Sequence, residues 1–147
     1  MQKARYDEFQ VAKRHRYGHH AFFLTIALIF VNGFIKMNYI WADPLMEMMV
    51  LVYIPLTYIT VMSAWKGAYL SRKDKNTYLY IPMFGFVALF NWSIIGYTLW
   101  DGMFVLVKDG KLAISSSILF TTIYFTLIVI AMIMRRVADT RIMRAEG

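Results

Sequence analysis

Leu112–Met134, which reads LAISSSILFTTIYFTLIVIAMIM, decides the fold. It contains no charged side chain, and a helix needs about 20 apolar residues to cross the hydrocarbon core of a bilayer. Strands of a membrane barrel are about half that length and alternate polar with apolar residues, which this stretch does not. Three further runs of the same character lie upstream, at about 17–36, 44–65 and 77–100. The second admits Glu47 close to its start, and the third is long enough to tilt. The expected architecture is an all-α polytopic membrane protein, with four transmembrane helices over residues 17–134. A basic interfacial segment, 1–16, precedes them and a basic tail, 135–147, follows.

The composition of the 147 residues agrees, with 59% hydrophobic, 17% charged and no cysteine. These values exclude a disordered chain, a disulfide scaffold and a thiolate metal site. A net charge of +7 would suit nucleic acid, but the charges stand in short stretches between apolar runs, so no direct nucleic-acid contact is expected. Asp7 and Glu8 stand among the basic residues ahead of the first run, and no small-residue cleavage site follows it. The N-terminus therefore reads as mature chain rather than as a cleaved signal.

Lysine and arginine set the expected orientation. Lys3, Arg5, Lys13, Arg14 and Arg16 precede the first span; Lys66, Arg72, Lys73 and Lys75 follow the second; Arg135, Arg136, Arg141 and Arg144 follow the fourth. Only Lys36, Lys108 and Lys111 of the 16 fall on the opposite side. The positive-inside rule then places both termini in the cytoplasm, which fits a multi-pass protein of a bacterial plasma membrane. Tyr39, Trp41 and Trp100 would mark the outer interface, and Trp65, Tyr69, Tyr78 and Tyr80 the inner one.

Asp43-Pro44 is a start signal for the second helix, with aspartate at the N-cap and proline where no hydrogen bond is lost. Glu47, one turn on, suits the positive end of the same helix dipole. Pro55 interrupts the backbone bonding of that helix near its middle. Ser115, Ser116, Ser117, Thr121 and Thr122 offer small hydroxyls that pack against neighbours or bond their own backbone. Asn32 and Asn91, each past the midpoint of an outward-running span, are expected either to pair across the bundle or to coordinate a solute.

Chemistry-bearing residues are sparse. No Asp, Glu, Lys or Arg lies in the middle of a span, where a proton or ion path needs one. Glu47 with Asn32 and Asn91 is the candidate polar or transport set, and Asp43, Asp101 and Asp109 with Glu47 would form an external acidic mouth for a cation. Lys36 is positioned to snorkel outward. His15, His19 and His20 form the one cluster with metal-ligand chemistry. The first two would share a face of a continuous helix, but Gly18 falls between them and no thiolate or carboxylate completes the set, so anchoring at the headgroups is the favoured role. No metal or other cofactor is expected. No nucleophile elbow, phosphate loop or dinucleotide fingerprint occurs, and no residue is nominated as catalytic.

The basic side is the expected contact surface, through Lys13, Arg14, Arg16, Lys66, Arg72, Lys73, Arg135 and Arg136. Anionic headgroups would attract it by about 1 kcal/mol per residue, and an acidic protein segment could use the same charges; a second copy of the chain is also among the expected partners.

Asp7-Glu8-Phe9-Gln10, Lys13-Arg14, Gly18 and Ala21-Phe22, followed by Trp41-Ala42-Asp43-Pro44, Glu47 and Lys66-Gly67-Ala68-Tyr69, resemble a family of small four-span membrane proteins of Gram-positive bacteria. Phe9 departs from the arginine of the family pattern, and the resemblance covers about the first half of the chain, to residue 70. The family is a domain of unknown function, often encoded beside small helix-turn-helix regulators. The resemblance therefore implies a membrane partner that holds or releases a cytoplasmic regulator. The expectation from all of this is a non-enzymatic membrane protein acting as a regulator, sensor or immunity-like factor. The alternative is a small transporter or channel, dimeric because four helices leave little room for a central path.

Overall fold

The computed structural model describes residues 8–69 and 79–145. Four long helices dominate: α1 (Glu8–Lys36), α2 (Pro44–Trp65), α3 (Tyr80–Trp100) and α4 (Ser117–Ala145). Between α3 and α4 stand two short strands, β1 (Val107–Lys108) and β2 (Lys111–Leu112), and one turn of 3-10 helix at Ile114–Ser116. All four helices are long and apolar enough to cross a membrane. Their outer faces carry exposed Phe22, Phe30 and Phe34 on α1 and Phe86, Leu89 and Phe90 on α3. Helices that are apolar all round and close their own backbone hydrogen bonds belong in lipid. The chain is a multi-pass membrane protein.

The helices pack in the order α1–α2–α4–α3. The central pair makes the core near one end, where Ala64 of α2 meets Ile128, Ala131 and Met132 of α4. Small side chains at Ala64 and Ala131 let these two backbones approach, and Tyr69, Tyr80 and Phe84 close over the cluster. α1 lies against α2 along a narrow stripe of Gln10, Tyr17, Ala21 and Asn32, and a Cβ on Gly18 would stand 3.7 Å from Ile59. α3 faces α4 through residues at three- and four-residue steps, with Phe84 against Phe125 at 6.0 Å and the Trp92 indole donating to Thr126 at 3.2 Å.

Two ends follow from this antiparallel arrangement. The first turns of α1, the last turn of α2 and the part of α4 around Arg135 share the basic end, where Gln10 and Arg135 both reach Gly67. The opposite end is closed by a small sheet. Val107 pairs with Leu112 and Lys108 with Lys111, and Ala42 adds a parallel bridge to Leu112. The turn uses Asp109 and Gly110, both at positive φ, the backbone that a two-residue hairpin requires.

The helices differ from the sequence reading at their ends. Residues 8–16 are the first turns of α1 itself rather than a separate interfacial segment, and Gly18 does not interrupt the helix. α4 likewise continues as helix through residues 135–145, which form most of the expected basic tail. Charge stops a segment from lying in hydrocarbon, but it does not stop a helix from extending beyond it. Pro55, buried, is accommodated inside α2.

Candidate functional site: the polar node at the hairpin end

Asn32 sits on the α2-facing stripe of α1, and Lys36 follows one turn later. The chain then reverses through Met37–Ala42, with the Tyr39 amide donating to the Ile35 carbonyl at 2.9 Å, and enters α2 at Pro44. This brings Glu47, in the first turn of α2, back against the end of α1. Asn32 Nδ2 donates to Glu47 Oε1 at 2.5 Å, and Lys36 Nζ pairs with Glu47 Oε2 at 2.9 Å. The other side of the Asn32 amide accepts from the Trp41 indole at 2.8 Å. Glu47 is only 8% exposed, and both its carboxylate oxygens are engaged. The ammonium of Lys36 neutralises the charge while the rest of its side chain stays half in solvent, and the dipole of α2 adds in the same direction.

The sheet covers this node. The Leu112 amide donates to the Trp41 carbonyl at 2.8 Å, and the Asp43 amide donates to the Leu112 carbonyl at 3.1 Å. The Tyr39 hydroxyl donates to the Gly110 carbonyl. Asp43 stands at the N-cap, but its side chain does not cap α2. It accepts instead from the Ile114 amide at 3.3 Å, tying the start of α2 to the approach to α4. Ala42 and Met46, at 1% and 0% exposure, are sealed beneath.

The remaining candidates distribute as follows. Asn91 is partly buried on α3, and it does not pair with Asn32, whose amide is taken up by Glu47 and Trp41. The physical reason is the packing order, which puts α1 and α3 on opposite flanks of the central helices. Asp101 and Asp109 are exposed on the loop. Among the described residues no three His, Asp or Glu side chains converge to hold a metal ion. His20 shares a hydrogen bond with the Tyr58 hydroxyl at 2.9 Å, His19 packs edge-on to Phe23, and His15 is exposed. The hydroxyls of Thr121, Thr122 and Thr126 bond carbonyls one turn back, and the Tyr53 hydroxyl also meets Thr121 at 2.9 Å.

At the basic end, cationic and amide groups of α1 satisfy the last carbonyls around α2. Gln10 donates to Gly67 at 2.7 Å, Arg14 to Tyr69 at 3.0 Å and Lys13 to Lys66 at 3.4 Å. Positive charge at a helix C-terminus is favourable there. Arg135 forms a two-pronged contact with Asp139, one turn on. Arg16, Lys66 and Arg136 are exposed, while Arg72 and Lys73 lie outside the described residues. Sequence reasoning missed Gln10 and Trp41 as structural polar groups. Their signal is position: Gln10 and Asn32 lie on one stripe with Tyr17 and Ala21.

Two depressions flank α2, one toward α4 around Met49, Val52 and Tyr53 and one toward α1 around Ala21, Val52 and Pro55, and both are apolar. No buried side-chain nitrogen or oxygen is left without a partner among the described residues. No family model matches the chain, and no curated protein and no solved structure matches it.

Proposed function

We propose that this chain is a non-enzymatic protein of a bacterial plasma membrane, with both termini in the cytoplasm, that works through contacts as a regulator, sensor or immunity-like factor. The observation that carries the reading is the state of Glu47. Its carboxylate is neutralised by Lys36 and bonded by Asn32, an arrangement that fastens α1 to α2. A proton- or cation-coupled carrier working through this carboxylate would need it to exchange its partner for a proton or an ion. The depressions along α2 are lined mainly by apolar side chains, which suits acyl chains rather than a hydrated solute.

The contact surface in this reading is the basic end. Arg16, Lys66 and Arg136 are exposed there, next to groups that hold α1 on α2. Such a surface attracts anionic headgroups and an acidic segment of a cytoplasmic regulator or of a second copy. Photo-crosslinkers placed at Arg16 and Arg136 in native membranes test this, with flux into liposomes measured in parallel. The expected result is a discrete protein adduct from the basic end and no flux. Flux abolished by Glu47→Gln, with no protein adduct, would replace the reading with a transporter.

A further inference from the structure

The segment joining α3 to β1 is more apolar than a water-facing loop sustains. Residues 100–107 read Trp-Asp-Gly-Met-Phe-Val-Leu-Val. Trp100, Met103, Val105, Leu106 and Val107 are all exposed, Trp100 at 90%. Scattered exposed apolar side chains are ordinary, whereas a consecutive run of them calls for a partner. The segment is also held in place. Gly102, at φ 68, reverses the chain, and the Met103 and Phe104 amides return to the Thr98 carbonyl at 3.0 and 3.1 Å. The Val105 carbonyl accepts from Ser115 and the Leu106 carbonyl from the Ala113 amide. These four backbone groups are thus bonded within the protein while the apolar side chains are left outside.

A second observation comes from the hairpin that follows. Lys108 and Lys111 are direct cross-strand partners. Like charges in this position repel one another, and an anionic group held by both removes the repulsion.

We propose that residues 100–107 are an interfacial anchor lying in the headgroup–acyl boundary of the leaflet around α3, with Lys108 and Lys111 engaging lipid phosphates. Continuity identifies lipid as the occupant. The exposed run begins on the last turn of a membrane-spanning helix, where Tyr97 and Leu99 are already exposed, and Trp100 stands at the depth that indole rings favour. The sign of the paired charges matches phosphate. The anchor closes the end of the protein opposite the basic contact surface and operates whatever that surface binds.

The absence of cysteine makes a single introduced thiol unique. Nitroxide labels on Met103→Cys, Leu106→Cys, Val107→Cys and Asp109→Cys, each in the full chain in phosphatidylcholine–phosphatidylglycerol nanodiscs, read depth by collision with oxygen and with a water-soluble nickel complex. Oxygen collisions should exceed nickel collisions at 103, 106 and 107, with the order inverted at 109. Adding K108Q/K111Q to the Val107 label should move it toward water. Three independent exposed positions keep the result decisive if one variant misfolds. Nickel access at 103, 106 and 107 would overturn the proposal. So would exclusion of both reagents, which would mean that a protein, including a second copy, covers the segment.

Discussion

Asn32 of α1 and Glu47 of α2 share a hydrogen bond at 2.5 Å across the helix pair, and the same asparagine accepts from the Trp41 indole in the turn between them. One amide thus serves two helices and their connection. Truncating it leaves an indole N–H and one carboxylate oxygen short of a partner in a buried place. Asn32→Leu should therefore cost about 1–3 kcal/mol, read from reversible unfolding in mixed micelles, with Glu47→Gln costing less because it keeps an acceptor. An unchanged midpoint for Asn32→Leu would contradict this bond.

Gly67 and Gly33 should respond oppositely to alanine. Gly67 has φ 68, and an added Cβ would stand 3.2 Å from Arg135 Nε. The left-handed backbone alone makes Gly67→Ala unfavourable by about 1–2 kcal/mol. Gly33 lies inside α1 with nothing within 4 Å of the added carbon, so Gly33→Ala should be neutral or stabilising by up to about 1 kcal/mol. Equal effects at the two sites in a micelle unfolding assay would refute the assignment of Gly67 to the turn.

Docking of the first turns of α1 rests on Gln10 and Arg14, which donate to the Gly67 and Tyr69 carbonyls. Gln10→Leu combined with Arg14→Met should remove about 1 kcal/mol or more per lost bond. Amide exchange over residues 8–16 should rise while exchange in α4 stays as it was. Uniform acceleration through all helices would show a global role instead.

The charge asymmetry predicts the sidedness of two exposed residues. Lys108→Cys should react with an impermeant maleimide on intact cells, and Lys66→Cys only after the membrane is opened. The reverse pattern would invert the proposed orientation.

The four spans were legible because hydrocarbon imposes a length and a composition that few other structures share. The start of α2 was equally plain in Asp43-Pro44, although the Asp43 side chain bonds Ile114 rather than its own helix. The hairpin carried a signal in Asp109-Gly110, the dipeptide that tolerates positive φ at both positions, but its strands are too short to show alternation. The Lys36–Glu47 pair was hidden for another reason. Each residue has a sufficient local explanation, snorkelling for one and helix dipole for the other, and only the path of the turn puts them in contact. Whether Asn32 and Asn91 meet was not legible, because sequence carries no direct record of the order in which helices pack.

The most direct measurement is a double-mutant cycle on that ion pair. Glu47 is held as a structural carboxylate, with the ammonium of Lys36 at 2.9 Å. Lys36→Met alone should destabilise the protein by up to about 3 kcal/mol, because it strands a buried charge, the half-exposed lysine setting the lower end through solvent screening. Lys36→Met with Glu47→Met should recover most of that loss, since two apolar side chains replace two mutually dependent charges. Strictly additive losses, or a Lys36→Met variant as stable as the original, would contradict the account and return Glu47 to the list of groups free to move a proton or an ion.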